Sequence, residues 1–127
     1  MKRGWIGITA VVALLSWASN AHGQQTTEKY IPVGQSPGVS GVSSYIGQIE
    51  SADASNRTVT VSGPEGARTI RVTEETSIWL DRSELRLTNQ TGSMADLRPG
   101  RRVEVKYVDE ETYETADWIK VVVTESG

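Results

Sequence analysis

Valine, isoleucine and leucine recur at every second position over several short stretches of this chain, each bounded by Gly, Pro, Asp or Asn. Side chains that alternate in this way stand on opposite faces of a strand, one dry and one wet. Residues 47–51 open the series, with Ile49 inward, and Asp53-Ala54-Ser55-Asn56 supplies turn residues that bond their own backbone. Residues 57–62 place Val59 and Val61 on one face, Gly63-Pro64-Glu65-Gly66 turns the chain, and residues 69–73 complete a hairpin. Residues 76–80 form a fourth strand with Ile78 and Leu80 as the inner pair, and the last strand runs over residues 115–124. There Asp117, Ile119, Val121 and Val123 share one face and Trp118, Lys120 and Val122 the other. Leu85-Arg86-Leu87 fits either a brief strand or a loop, and residues 88–91 read as polar loop.

One stretch, residues 93–108, organises the rest. Ser93 can cap a single helical turn and Asp96 suits its positive end. Pro99 drives Arg98 out of the α region, Pro99-Gly100 reverses the chain, and Val103, Val105 and Tyr107 then alternate with Arg102, Glu104 and Lys106. Leu97 is the residue such a turn offers to the core. No segment has a helical period long enough for a full helix. The pattern predicts an all-β domain: a small closed or partly open barrel, OB-like, of about five to seven short strands with one short helical turn. A barrel of that strand count fills its interior with side chains, so a large internal cavity is not expected.

Residues 1–23 stand apart from the pattern. Lys2 and Arg3 precede a mostly apolar run over residues 5–18, and small residues follow at Ala21 and Gly23. That is the composition of a Sec signal peptide, with cleavage expected between residues 22 and 25. The run is shorter than the ~20 residues a membrane span needs, so no span is expected after cleavage. Residues 24–44 carry Pro32, Gly34, Pro37, Gly38 and Gly41 without a periodic apolar face, and read as a disordered linker or extended tether. The alternatives are that Tyr30-Ile31-Pro32-Val33 pairs with a sheet edge, or folds back over apolar side chains of the barrel. Residues 45–127 form the barrel domain.

Composition removes several functions. The chain has 13 basic and 16 acidic residues; loss of Lys2 and Arg3 with the leader leaves a net charge of −5. That balance argues against nucleic acid as a partner, although Arg98, Arg101, Arg102 and Lys106 form a local basic patch, with Trp79, Trp118 and Tyr113 as stacking candidates. A solvated face paired with Glu104 and its cross-strand neighbours explains the same residues. Cysteine is absent and the single His is His22, so the usual nucleophile–base pairs cannot be built from residues 24–127, and no catalytic residue is expected. Paired carboxylates are the chemistry left open.

The order Gly47-x-Ile49, Thr58-x-Thr60-Val61, Thr76-x-Ile78, Asp96-Leu97-x-x-Gly100-x-x-Val103-x-Val105, Ala116-x-x-Ile119 resembles an uncharacterised family of bacterial exported domains. The resemblance covers residues 45–124 and implies an OB-like small β-barrel in the envelope; it brings no catalytic residues. A weaker resemblance is to periplasmic copper chaperones of the small-barrel type, which share the opening Gly-x-Ile. Those bind copper through His, Met and a Trp lid; here Met94 is the one Met beyond the leader, and Trp79 alone does not make that site.

No cofactor or metal site is therefore expected. Asp109, Glu110, Glu111 and Glu114 could attract calcium but lack the alternating spacing and central glycine of a dedicated loop, and a solvated hairpin tip accounts for them. Asn56-Arg57-Thr58 and Asn89-Gln90-Thr91 match the glycosylation pattern, which matters only in a eukaryotic secretory route. The remaining candidate is a partner-binding patch of Trp79, Trp118 and Val122 with Arg101 and Arg102 at its rim, since strand alternation turns these apolar residues outward. The sequence thus points to a non-enzymatic exported binding or structural module, periplasmic or secreted, that meets another envelope protein or a small ligand. The alternative is a secreted carrier that holds a metal ion or an oligosaccharide on the barrel face.

Overall fold

A computed structural model describes residues 27–126. The expected leader, its cleavage site and His22 lie outside the described residues. Seven strands form one sheet: β1 (Ser44–Asp53), β2 (Thr58–Gly63), β3 (Gly66–Arg71), β4 (Ser77–Asp81), β5 (Gln90–Thr91), β6 (Arg102–Tyr107) and β7 (Ala116–Val122). Their order is β3-β2-β1-β6-β7-β4-β5. All neighbours are antiparallel except β4 and β7. The sheet curls until the end of β3 meets the residue before β7 in a single parallel bridge, Arg71 to Thr115. The result is the small, partly open β-barrel that the alternation predicts.

The inner face is apolar. Ile49, Val59, Val61, Ile70, Ile78, Leu80, Val103, Val105, Tyr107, Ile119 and Val121 pack into one cluster, together with Leu97. Close approach of β1 to β2 needs glycine at position 47, where a Cβ would stand 2.2 Å from the Ser62 carbonyl oxygen. The turn before β6 is built as its residues require. The Asp96 carboxylate accepts the Ser93 N–H at 2.8 Å, Gly100 takes φ +90°, and its N–H donates to the Ile49 carbonyl at 2.7 Å. Leu97, 2 % exposed, closes that end of the barrel.

Two local expectations need correction, and one open reading is resolved. Asp117 does not share a face with Ile119 and Val121 in a regular strand. The register slips between Lys106 and Tyr107, so Tyr107 faces Ala116 while Lys106 faces Trp118. This bulge sends Ala116 rather than Asp117 into the core. Of the two readings of Leu85-Arg86-Leu87, the loop is the one found: residues 83–85 form a 3-10 turn ended by Arg86 at φ +59°. Gln90 and Thr91, expected as loop, pair with β4 as a short edge strand.

The largest departure concerns residues 24–44. The described part of that stretch is not a tether but a succession of turns lying on the outer face of the sheet. Val33 is 4 % exposed and Ser36 4 %. Nor does it add a strand at a sheet edge: it sits on the face, held by side chains of β4, β6 and β7. Residues 27–40 thus form a strap over this face. Pro and Gly break periodicity, but they also allow the close turns by which a short segment satisfies its own backbone.

Candidate functional site

Two places on the molecule gather chemistry, and the first is the face under the strap. The register sets Ile46, Glu104, Lys120, Trp79 and Thr91 in one row across five strands. Lys106, Trp118 and Ser77 form the adjacent row. Glu104 and Lys120 are both fully buried, so neither belongs to a solvated face as the basic-patch reading supposed. Lys120 Nζ contacts Glu28 Oε1 at 2.6 Å and Ser36 Oγ at 3.2 Å, and lies 4.6 Å from the centre of the Trp118 ring. Ser36 also bonds Glu28. Glu104 accepts from Gly34 N–H at 2.9 Å, Ser40 Oγ at 2.8 Å and Ser44 Oγ at 2.6 Å. Asp81, 3 % exposed, accepts from Val33 N–H at 2.8 Å and from Ser83.

The expected patch residues fall on or beside this face, but not as a free surface. Trp79 and Trp118 stack with centroids 5.7 Å apart and an interplanar angle of 28°. They are only 7 % and 6 % exposed, and Val122 is also 6 % exposed. They do turn away from the barrel core, as alternation requires, yet they are covered. Arg102 is exposed and Arg101 half-buried, its guanidinium donating to the Asp96 carbonyl at 2.9 Å. Both line an open groove of about 520 Å³ with Arg98, Pro99, Val122 and Glu84. Lys106, from the same basic set, pairs with Glu110 at 3.1 Å.

The second place is a cleft of about 580 Å³ bordered by the start of β1, the β2–β3 turn and the β6–β7 hairpin. Arg68 of β3 is its centre. The guanidinium carbon lies 4.0 Å from the ring centre of Tyr45 and 4.5 Å from that of Tyr113, so the cation is held between two aromatic faces. One Arg68 nitrogen donates to the Tyr107 hydroxyl at 3.3 Å and another meets Glu65 at 3.3 Å. Tyr113 packs edge-on against Tyr107 at 5.2 Å. The Tyr45 hydroxyl is itself fixed, donating to the Gly66 carbonyl at 2.6 Å and accepting the Glu65 N–H at 3.0 Å. The bond to Tyr107 holds the guanidinium above its ordinary pKa, while burial holds the Tyr107 phenol above 10.0. Tyr113 remains 48 % exposed at the mouth, at φ +55°. Glu110 and Glu111 complete the rim.

Sequence reading named Tyr113 but missed Tyr45, Arg68 and Tyr107, which lie on three different strands. A shared face could be read for Tyr107 alone, from its place in the β6 alternation; nothing in the spacing of Tyr45 and Arg68 brings them together.

Among the described residues no three His, Cys, Asp or Glu side chains are grouped to hold a metal ion. Asp109 instead accepts the Glu111 N–H at 2.9 Å within the exposed hairpin tip. Of the two glycosylation triplets, Asn89 is 7 % exposed and its amide is spent on Arg82 N–H and the Lys29 carbonyl. No helix among the described residues is long and apolar enough to cross a membrane.

No protein-family model matches the chain, and no curated protein matches it. Among solved structures, the crystal structure of Ag(I)CusF is similar, with a TM-score of 0.44 and 16 % identity, covering 61 % of this chain and 93 % of that one.

Proposed function

We propose that this protein is a non-enzymatic binding module exported to the bacterial envelope, and that its ligand is an oligosaccharide seated in the cleft over Arg68. The observation that carries the reading is the Arg68 guanidinium held between Tyr45 and Tyr113 at 4.0 and 4.5 Å. Such a clamp presents planar N–H donors in a fixed direction at the floor of an open cleft. Beside it, the half-exposed ring of Tyr113 offers an apolar face, and Glu65 and Glu110 offer acceptors. Donors, acceptors and an aromatic face within one cleft match the alternating hydroxyl and C–H surfaces of a sugar. Export is supported by Lys2, Arg3 and the apolar run that follows them. The metal-carrier alternative has less to stand on, because soft and borderline ions want thiolate, thioether or imidazole, and beyond the leader the chain offers Met94.

The test is a calorimetric titration with soluble peptidoglycan fragments and a panel of neutral oligosaccharides. Binding that Tyr113→Ala weakens about tenfold, while leaving the melting temperature near that of the native chain, supports the reading. Absence of heat from every member of the panel, or binding indifferent to Tyr113→Ala, sinks it.

A further inference from the structure

The turn that enters β6 carries Arg98, Arg101 and Arg102, and all three line the open groove of about 520 Å³. The turn is pinned to β1 from both sides. Ile49 accepts the Gly100 N–H at 2.7 Å and donates its own N–H to the Arg101 carbonyl at 2.9 Å. The Arg101 N–H closes the turn on the Arg98 carbonyl at 3.3 Å, and the Arg101 guanidinium is steered by the Asp96 carbonyl at 2.9 Å. Arg102 lies over the strap, where a Cβ at Gly34 would stand 3.2 Å from one of its guanidinium nitrogens. Arg98 and Arg102 are exposed, and among the described residues neither guanidinium has a hydrogen bond or an ion pair. Beyond β7, the Thr124 and Ser126 hydroxyls, 3.3 Å apart, face the same groove. Glu84 is its one carboxylate.

We infer that this groove binds a phosphate group carried on a sugar or polyol. Charge complementarity identifies the ligand. Three guanidinium groups face one carboxylate, on a chain whose net charge without its leader is −5. A concave site of one sign on a surface of the other focuses the field and collects anions. Guanidinium forks match the oxygens of a phosphate, which accepts from several donors at once, where a carboxylate is filled by a single fork. The two hydroxyls can donate to a phosphate oxygen or meet a polyol hydroxyl. The carrier follows from the walls. Val122 and Pro99 are the apolar residues there and no aromatic ring lines the groove, so a nucleic-acid base has no platform on which to stack. Polybasic segments that hold anionic bilayers use ~4–8 cations, more than this turn supplies. The groove shares no lining residue with the Arg68 cleft, so the inference stands apart from the reading of that site.

Calorimetric titration with inositol hexakisphosphate, on the protein as its host processes it, tests the inference. Binding is expected at low salt and should weaken at least about tenfold between about 20 and 200 mM salt, as screening requires. Arg98→Gln with Arg102→Gln is expected to weaken it at least about tenfold again, since each substitution removes a charged donor. Arg57→Gln with Arg71→Gln removes the same charge from exposed positions outside the groove and should leave binding within about twofold. No binding by the native chain overturns the inference, and so does equal weakening by the two pairs, which would make net charge the cause. All four positions are exposed, so melting temperatures should stay near that of the native chain; should the first pair melt lower, Arg98→Gln alone reads the same contrast. Two further arms decide the carrier: vesicles of phosphatidylglycerol and a thymidine hexanucleotide. Binding to either one that matches or exceeds binding to the inositol phosphate overturns the assignment to a sugar or polyol; weaker binding to both supports it.

Discussion

Glu104 and Lys120 stand opposite one another on β6 and β7, both fully buried; Glu104 accepts a hydrogen bond from Gly34 and Lys120 donates one to Glu28, both partners lying ahead of the barrel. Lys120 pairs with Glu28, 92 positions away in sequence, and Glu104 with Gly34, Ser40 and Ser44. Strap and sheet therefore stabilise one another through charges that neither could leave unpaired.

That dependence is asymmetric. Glu28→Ala removes the carboxylate and leaves a fully buried ammonium, so it is expected to destabilise the domain by about 3 kcal/mol. Lys120→Met keeps most of the stem beside Trp118 and leaves Glu28, whose side chain is 18 % exposed, a path to water. Its cost is expected to be less than half as large. Urea midpoints of the two variants measure the difference, and equal losses would show that the ion pair is not what anchors the strap.

The tryptophans test whether the strap shields the face on which they lie. With Trp79 and Trp118 stacked and covered, a chain beginning at Gln24 should emit at short wavelength and resist acrylamide. Glu28→Ala should raise the quenching of both rings before the barrel unfolds, because the strap is held by its own contacts and not by the sheet ladder. Emission already red-shifted and quenchable in the native chain would mean that the face is open in solution.

Leu85 ends one 3-10 turn and Leu97 directly follows the other, but only Leu97 enters the core cluster, at 2 % exposure. Leu97→Ala should cost ~2–4 kcal/mol and Leu85→Ala much less. Denaturant midpoints decide this, and equal losses would contradict the placement of Leu97.

Tyr107 gives the fold an alkaline limit. Burial raises its phenol above 10.0, partly offset by the hydrogen bond from Arg68. A group whose folded pKa is raised contributes stability that is fully present below its unfolded pKa and is lost as pH rises through the folded value. Stability should therefore fall as pH climbs beyond about 10, and Tyr107→Phe should remove that part of the fall. Urea midpoints taken from about pH 8 to about pH 11 would reveal it, and an unchanged slope in the variant would assign the loss to other groups.

The strands were legible because their cause is local. Val59 and Val61, Ile78 and Leu80, or Val103 and Val105 declare an inner face by alternation alone, and Pro99-Gly100 declares its turn by backbone restriction. The same rule placed Trp79 and Trp118 on the outer face, where they are. Whether that face is wet was not a local matter. It depends on Glu28, Val33 and Gly34 folding back onto residues some 48 to 92 positions away, and the strap carries no periodic signal because turns and side-chain bonds, not a ladder, hold it. The Arg68 cleft was hidden for a related reason. Tyr45, Arg68 and Tyr107 come together only when β1, β3 and β6 curl into one barrel end, and a strand's pattern states which way a side chain points but not which distant side chain it meets.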